Sequence, residues 1–438
     1  MSSTWRCLGA LTLARAAMGF QFQSIAAVAP LIGDGLSLDK TQLGWLIGLY
    51  LLPGVAFALP GGLLGRRFGD KRLVLVGLAL MGIGGAGLAL ADSFPAANAA
   101  RFTSGIGAVI LNVLMTKMVT DLFIGRDRVL AMSVLINAWP IGIGIALAVI
   151  GPLGEVAGWR LGVASSALFA MIGLVVVEAF YRPPILALGS TSDPSPAAGI
   201  GLGVLTRAEW SLLAIGSLPW LLYNAAYQIM LSFLPSFLVG GGLNIAHAGW
   251  LVAVNTVMFV VSVQVGGFLL QRSAQPERLC HATIVAWCVT LLFIAAGSAP
   301  LPWLVLGGLV GGIPAAALVS APGEFLRAES RSAGMGVFYT VYYLGCAILP
   351  TLAGALYDAS GGKAALWMAA ATAFCSAATL FAFRRAMAAP RPSLSATVPQ
   401  DATVKTVKQG TEKQTAPSAT QTTPVSDEGC HHSKDSDA

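Results

Sequence analysis

Long apolar stretches dominate this chain. Twelve of them, each about 20 or more residues long and ended by charge, glycine or proline, occupy most of its first 385 residues. An α-helix needs about 20 apolar residues to cross the roughly 30 Å hydrocarbon core of a bilayer, and a helix satisfies its own backbone hydrogen bonds there. We therefore predict an all-α integral membrane protein with twelve transmembrane helices, at 8–31, 41–65, 73–91, 96–120, 129–152, 160–181, 208–238, 248–270, 279–299, 301–323, 332–357 and 364–383.

The composition supports a lipid environment and excludes several classes of function. Hydrophobic residues make up 56% of the chain and charged residues only 11%, against about a quarter charged in soluble domains. The net charge of +6 comes mainly from short loops between apolar stretches, so we expect the bilayer as a partner and no nucleic acid. The six cysteines show no CxxC spacing, which predicts neither a disulfide framework nor a zinc site, and we expect no cofactor.

Two polar segments divide the chain. Residues 182–207 contain Pro183-Pro184 and a run of Ser, Thr, Asp, Pro and Gly, and this composition is typical of a linker. We predict an N-terminal six-helix half at 1–181, a central linker at 182–207 and a C-terminal six-helix half at 208–385. Residues 386–438 are rich in Thr, Ser, Lys and Gln, and we expect a disordered tail.

The basic residues of the loops predict the orientation. The even-numbered connections hold twelve Lys and Arg residues, whereas the odd-numbered connections hold three. Positive charge is enriched in cytoplasmic loops. We therefore expect a multi-pass protein of the cell membrane, the inner membrane in a bacterium, with the even-numbered connections, the linker and both termini in the cytoplasm.

The two predicted halves repeat one another. A shift of 203 positions pairs Gly151 with Gly354 and Glu155 with Asp358, and it also pairs Asp121, Arg128, Met132, Gly142, Leu153, Gly158 and Arg160 with Glu324, Arg331, Met335, Gly345, Leu356, Gly361 and Lys363. A shift of 205 aligns 61–67 with 266–272. Equivalent helices then run in the same direction, so we predict a pseudo-twofold axis along the membrane normal.

This organisation resembles the major facilitator superfamily, whose two six-helix halves are related in this way. After the predicted second helix, Gly62, Leu64, Arg67, Gly69 and Lys71 match the family pattern Gly-x-Leu-x-Asp-Arg-x-Gly-Arg-Lys. The resemblance covers roughly residues 8–385. It implies a transporter that works by alternating access, as a symporter or antiporter.

Two positions depart from that pattern. Arg66 stands where the family has Asp, and Asp70 stands where the family has Arg. The gating contact of the family's Asp therefore does not transfer to Arg66, and Asp70 is the candidate substitute. The candidate gating residues are Gly62, Arg66, Arg67, Gly69, Asp70, Lys71 and Asp121.

Two further motifs bear on the resemblance. The fourth predicted helix contains Arg101 followed by Gly105 and Gly107, similar to the family's Arg-x-x-x-Gly-x-Gly motif. The fifth contains Gly142 and Gly151-Pro152, which match part of the family's exporter motif, with Leu147 in place of a glycine. Efflux is one interpretation of these glycines, and close helix packing is the other.

Polar side chains inside apolar helices are the candidate solute ligands, because their burial in a membrane is costly. In the resembled fold the first, fourth, seventh and tenth helices line the cavity. Arg15 and Arg101 lie about 8 to 10 Å from the predicted ends of their helices, and in the alternative interpretation both reach the nearest interface. The candidate substrate-binding residues are Arg15, Gln21, Arg101, Asn112, Tyr223, Asn224, Tyr227, Gln228 and Tyr339, with Gln23, Asn255, Tyr342 and Tyr343 as weaker candidates.

The acidic residues fall in loops, in the tail or near helix ends. An exporter of cationic drugs is expected to carry carboxylates near the membrane midplane, whereas a guanidinium binds a carboxylate in a bidentate manner. We therefore predict a secondary transporter of a small anion such as an organic acid, working as a monomer with a coupling ion such as H⁺. The alternatives are a multidrug or metabolite exporter of the same fold and a non-transporting sensor. An enzyme is disfavoured, because no nucleophile, base and orienting residue cluster.

Overall fold

The computed structural model describes residues 3–57, 68–123, 126–182, 202–327 and 329–388. No strand occurs among these residues, and helices contain nearly all of them. In chain order the helices are α1 Ser3–Ala27, α2 Ala29–Leu36, α3 Lys40–Leu49, α4 Pro53–Phe57, α5 Asp70–Ala89, α6 Phe94–Leu122, α7 Arg126–Ala157, α8 Trp159–Phe180, α9 Arg207–Gly240, α10 Ile245–Arg272, α11 Pro276–Ala295, α12 Pro300–Gly311, α13 Ala315–Ser320, α14 Arg331–Ser360 and α15 Gly362–Ala388.

Ten helical segments of the described chain are long and apolar enough to cross a bilayer, and the pair α1 and α2 makes an eleventh when it counts as one span. One of the ten, Pro300–Glu324, combines α12, α13 and a short 3₁₀ turn. The predicted span 41–65 contains α3 and α4, and its remaining residues, 58–65, lie outside the described part. Large apolar side chains such as Ile83, Leu168 and Val175 are more than half exposed, as expected for a surface that faces lipid.

The sequence boundaries need correction at two helices. The first helix begins at Ser3 rather than at residue 8, and it bends by 60° between α1 and α2. The predicted span 301–323 is interrupted between α12 and α13, where Gly312, Ile313 and Pro314 form a turn. Pro cannot donate a backbone hydrogen bond, so a break at this position follows from its chemistry. Most of the predicted linker, 183–201, and the predicted tail from residue 389 lie outside the described residues.

The described helices pack as two sets. Within 1–182, α1 packs against α7 and α8, and α5 packs against α6 and α8. Within 202–388, α9 packs against α14 and α15, and α11 packs against α12 and α15. The two sets meet where α3 and α4 contact α14, where α7 contacts α10 and where α1 contacts α9.

We name the two ends of the molecule by their charge. The charge-poor end carries the connections α2–α3, α5–α6, α7–α8, α9–α10, α11–α12 and α14–α15, which are the odd-numbered connections of the sequence. The charge-rich end is the opposite one, where the described parts of the even-numbered connections lie. A buried carboxylate stabilises the charge-rich end of the second set, because Glu209 accepts hydrogen bonds from Arg327 Nε at 3.2 Å and from Ser330 Oγ at 2.5 Å.

Glycine allows the closest helix contacts. A Cβ added at Gly142 of α7 would lie 2.0 Å from the carbonyl oxygen of Ala16 in α1, well inside van der Waals contact. Any side chain there would force the two helices apart. Packing therefore accounts for Gly142, and this glycine of the partial exporter motif does not by itself argue for efflux.

Candidate functional site

Arg15 lies farther from the end of its helix than the sequence boundaries suggested. Because α1 begins at Ser3, Arg15 is about 18 Å from the start of its helix at 1.5 Å per residue. Its Nε and Nη1 atoms are buried and have no hydrogen-bond partner among the described residues. The phenols of Tyr339, Tyr342 and Tyr343 in α14 lie close enough to interact with it electrostatically. The guanidinium of Arg15 therefore lies near α14 of the second set of helices.

The three tyrosines form one aromatic wall. The rings of Tyr342 and Tyr343 meet edge to face at 5.0 Å, and those of Tyr339 and Tyr342 at 6.2 Å. Asn112 Nδ2 of α6 donates to the hydroxyl of Tyr343 at 2.7 Å. This bond leaves the hydroxyl hydrogen of Tyr343 free to donate. The wall therefore joins the first set of helices to the second at the depth of Arg15.

Trp220 of α9 completes this layer. Its ring lies 6.1 Å from that of Tyr342, and its Nε1–H is buried with no partner among the described residues. Trp220 lies about 20 Å from the start of α9, which matches the depth of Arg15. The layer consists of Arg15, Asn112, Trp220, Tyr339, Tyr342 and Tyr343, and we call it the guanidinium layer.

The electrostatics of the guanidinium layer favour an anion. Each Asp and Glu of the described residues lies in a connection or within about one turn of a helix end. The layer contains one cation, two buried donor groups without partners and no carboxylate to neutralise them. A buried polar group without a partner raises the free energy of the protein, and a bound carboxylate would supply the missing acceptors.

A second layer lies beside the first toward the charge-poor end. It surrounds a cavity of about 30 Å³, which is room for roughly one water molecule. The lining residues are Phe22, Leu51, Trp139, Ile143, Asn224, Tyr227, Gln228, Leu231 and Tyr342. Asn224 donates to Trp220 O at 2.8 Å and Gln228 donates to Cys346 O at 3.1 Å. This layer therefore closes the centre of the molecule, with both amide nitrogens donating to backbone carbonyls.

Arg101 has a different environment from Arg15. It is fully buried, and its Nε, Nη1 and Nη2 donate to the carbonyls of Leu46, Gln21 and Phe22 at 3.0, 2.9 and 2.7 Å. Its guanidinium also lies 4.4 Å above the ring of Tyr50. All three nitrogens donate to protein, so in this conformation Arg101 joins α6 to α1 and α3.

Four other candidates hold helices together. Gln21 Nε2 donates to Met81 O at 2.8 Å, and Tyr223 donates to Gly311 O at 2.6 Å. Gln23 donates to Leu231 O at 2.9 Å and Asn255 donates to Leu304 O at 2.7 Å. The structure does not bring these four side chains into the guanidinium layer.

The candidate gating residues lie at the charge-rich end of the first set of helices. Lys117 of α6 pairs with Asp70 and lies 3.7 Å from Asp121, and Lys71 lies 3.2 Å from Glu178. Gly69 precedes α5 with a φ of 86°, a backbone conformation that glycine adopts without strain. The structure thus joins Asp70 and Asp121 through Lys117. Gly62, Arg66 and Arg67 lie outside the described residues.

A larger cavity lies elsewhere among the described residues. A cleft of about 810 Å³ opens at the charge-poor end between α9, α10 and the α11–α12 and α14–α15 connections. Its walls include Phe237, Trp250, Leu301, Tyr357 and Lys363, and several of these side chains are exposed. This cleft lies on one half of the molecule rather than between the halves, so we do not assign the central site to it.

The sequence identifies some residues of the guanidinium layer as candidate ligands more readily than others. The sequence ranks Tyr342 and Tyr343 below Arg101 and does not place Trp220 among the candidate ligands, although all three lie in the layer of Arg15. The available signal was their position: they and Arg15 lie at similar distances from the charge-rich ends of their helices. That comparison requires the true start of α1, which the apolar run alone did not reveal.

The described residues form a polytopic helical protein, in which two sets of helices enclose a central layer of polar and aromatic side chains. The family model of the Major Facilitator Superfamily matches residues 11–303 and 242–420, and the chain belongs to this family. It is a secondary transporter of a small solute rather than an enzyme, and its fold is that of the family.

Individual relatives are more distant. The chain is 26% identical over 367 residues to the 3-(3-hydroxy-phenyl)propionate transporter of Escherichia coli K12, covering 81% of this chain and 87% of that protein. It is 23% identical over 341 residues to the cis,cis-muconate transport protein of Acinetobacter baylyi, covering 75% and 81%. The inward-open structure of the xylose transporter XylE from E. coli superposes with a TM-score of 0.71 at 14% identity, over 87% of this chain and 96% of that one.

Proposed function

We propose that the protein carries a small organic anion across the cell membrane and that Arg15 binds its carboxylate. The observation that carries this proposal is the guanidinium of Arg15, which lies between the two sets of helices with two nitrogens lacking partners among the described residues. A guanidinium offers paired N–H donors that match the two oxygens of a carboxylate. Trp220 Nε1 and the hydroxyl of Tyr343 are further donors at the same depth.

The aromatic wall supports an unsaturated or aromatic acid as the solute. Tyr339, Tyr342 and Trp220 present ring faces and edges beside Arg15, and such surfaces pack well against planar carbon skeletons. The relatives named above are transporters of 3-(3-hydroxy-phenyl)propionate and of cis,cis-muconate. Both of these compounds are planar or partly planar carboxylates, which agrees with the chemistry of the layer.

The other candidate residues have distinct roles in this proposal. Asn112 and Tyr339 line the site with Arg15, while Asn224, Tyr227 and Gln228 lie in the closed layer and contact the solute when that layer opens. Arg101, Gln21 and Tyr223 position the helices around the site. In the proposal Asp70, Lys71 and Asp121 belong to the gate at the charge-rich end, together with Gly62, Gly69, Arg66 and Arg67.

Transport by this arrangement requires alternating access. The charge-rich end, with both termini, faces the cytoplasm in this proposal, as its loop charges predict. The two sets of helices rock about the guanidinium layer and expose it to one side at a time. A monomer is sufficient for this motion, and a coupling ion such as H⁺ would drive it.

The test uses purified protein in liposomes. Uptake is measured for radiolabelled 3-(3-hydroxyphenyl)propionate and cis,cis-muconate, and for the amides of the same acids. We expect transport of the acids only, and we expect Arg15→Ala to lower kcat/KM by roughly 10- to 100-fold, the range for one charge-assisted hydrogen-bonded pair. Arg272→Ala, which removes an exposed arginine at the end of α10, is the matched control.

Two outcomes would refute the proposal. One is equal uptake of the acids and of their amides by the wild-type protein, because a carboxylate site must prefer the charged form. The other is unchanged acid uptake by Arg15→Ala. Arg15→Lys should retain part of the activity, since an ammonium keeps the charge but not the paired geometry.

A further inference from the structure

The two halves meet at the charge-poor end through two interfaces. In the first interface α3 packs against α14, and in the second α10 packs against α7. Each interface joins one helix of the first half to one helix of the second half. The residues that form them show what holds this end closed.

A carboxylate crosses the first interface. Asp358, near the end of α14, accepts hydrogen bonds from the backbone amides of Lys40 at 3.0 Å and Thr41 at 2.8 Å, and from the hydroxyl of Thr41 at 2.6 Å. Lys40 is the first residue of α3. The first amides of a helix have no partner within the helix, and the helix dipole favours negative charge beside them.

A carboxylate crosses the second interface in the same manner. Glu155, near the end of α7, accepts a hydrogen bond from the backbone amide of Ile245 at 2.6 Å. Ile245 is the first residue of α10. Glu155 and Asp358 are the pair that the shift of 203 positions superposes, and Lys40 and Ile245 are 205 positions apart. The two carboxylate contacts are therefore copies of one contact.

The backbone packing of the two interfaces is duplicated as well. A Cβ at Gly44 of α3 would lie 2.3 Å from Pro350 O of α14, and a Cβ at Gly249 of α10 would lie 2.5 Å from Leu147 O of α7. Gly44 and Gly249 are 205 positions apart, and Leu147 and Pro350 are 203 apart. Both interfaces are thus close contacts between a glycine and a carbonyl, one to two turns from the carboxylate.

Neither helix needs the crossing carboxylate as its cap. The side chain of Asp39 already accepts a hydrogen bond from Gln42 N at the start of α3, and Asn244 accepts one from His247 N at the start of α10. Each helix is therefore capped from within its own half. Both helix starts therefore keep a cap when Asp358 and Glu155 are released.

We propose that Glu155 and Asp358 form a duplicated latch that holds the charge-poor end closed, and that access to the solute site from this end requires both carboxylates to leave their helix starts. This inference depends on the proposed function, because a latch of this kind acts only in a protein that works by alternating access. Its two copies differ in strength, because Asp358 accepts three hydrogen bonds and Glu155 accepts one. The Glu155 contact is therefore the first to open.

The test measures the distance between the halves without any solute. Spin labels are placed at Leu90 in the α5–α6 connection and at Ala299 in the α11–α12 connection. Cys375, which is exposed, and Cys430, which lies outside the described residues, are first replaced by serine. Pulsed electron–electron double resonance on the protein in lipid nanodiscs then measures the distance between the two labels and gives the populations of the closed and open states. The variants are Asp358→Asn, Glu155→Gln and the double variant.

We expect the wild-type protein to show mainly the short distance. Loss of one carboxylate charge from a helix start should raise the ratio of open to closed populations by about tenfold for Asp358→Asn, less for Glu155→Gln, and most in the double variant. Asp92→Asn is the matched control, because Asp92 is an exposed carboxylate at the same end that pairs with Arg160 within one half. Its populations should equal those of the wild type.

Unchanged populations in the double variant would overturn the latch, and so would an equal shift in Asp92→Asn. Monodisperse elution in gel filtration confirms that each variant is folded, and Thr41→Val, which removes only the hydroxyl contact, gives a smaller shift if the latch is real. The outcome is independent of the solute. A shift in these variants without anion uptake in liposomes would reject the proposed function alone, whereas Arg15-dependent uptake without a shift would reject the latch alone.

Discussion

Arg101→Lys separates a residue that positions helices from a residue that binds the solute. In the wild type, three guanidinium nitrogens of Arg101 donate to three carbonyls on two other helices. A lysine ammonium at this position keeps the charge, but it is a single point donor and cannot span three carbonyls that surround a planar group. At least two of the three hydrogen bonds are lost.

The magnitude follows from these two bonds. A hydrogen bond to a charged group contributes about 1.5 to 3 kcal/mol, while hydrogen bonds between transmembrane helices average about 0.6 and reach about 1.7 kcal/mol. Two bonds at about 1.5 kcal/mol each lower the free energy of unfolding by about 3 kcal/mol. Loss of the contact between the guanidinium and the Tyr50 ring acts in the same direction.

The assay is equilibrium unfolding in mixed dodecylmaltoside and dodecylsulfate micelles, followed by tryptophan fluorescence. Arg15→Lys is the matched control, because two of the Arg15 nitrogens have no partner to lose among the described residues, and we expect a change below about 1 kcal/mol. If Arg101→Lys unfolded like the wild type and yet abolished transport, Arg101 would bind the solute and our assignment of the two arginines would be wrong.

Three further outcomes are expected. Gly142→Ala should lower the free energy of unfolding by about 1 to 3 kcal/mol, because its Cβ would overlap a carbonyl of α1. Gly9→Ala is the control: no atom lies within 4 Å of its Cβ, and the free energy of unfolding should rise by up to about 1 kcal/mol. Glu209→Gln should lower it by about 2 kcal/mol through lost bonds to a charged group, and the exposed Glu178 provides the control, Glu178→Gln. Tyr343→Phe should raise the KM for the acid about fivefold in liposomes through loss of one hydrogen bond. An unchanged free energy of unfolding in Gly142→Ala or Glu209→Gln, or an unchanged KM in Tyr343→Phe, would contradict the corresponding contact.

The apolar runs were sufficient to predict the fold class, because a chain in a membrane must satisfy its own backbone hydrogen bonds, as an α-helix does. Helix ends were harder to predict. The start of α1 at Ser3 places Arg15 about 18 Å from the end of its helix, against 8 to 10 Å from the predicted end. Thr4, Trp5 and Arg6 are not strongly apolar, so hydropathy could not include them in the helix.

The environments of the two arginines could not be predicted from sequence. Each is a single cation in an apolar run, and the local sequence does not say where its donors point. Arg101 meets carbonyls supplied by α1 and α3, more than 50 positions away, while Arg15 meets phenol rings more than 300 positions away. The family motif around Arg101 made it the stronger candidate, although packing gives it the structural role.

The internal repeat shows which contacts the two halves share and which residues they do not. The closure at the charge-poor end is duplicated, since Glu155 and Asp358 are equivalent positions and bind equivalent helix starts. The guanidinium layer is not duplicated, because the shifts of 203 and 205 positions place Leu218 and Trp220 opposite Arg15, and the shift of 203 places Ala315 opposite Asn112. In the proposed mechanism both interfaces separate at a carboxylate bound to a helix start, with the Glu155 contact opening first, whereas an organic acid has one charged end and one apolar end. The proposal therefore places the repeated contacts where the halves separate and the unrepeated residues where the solute binds.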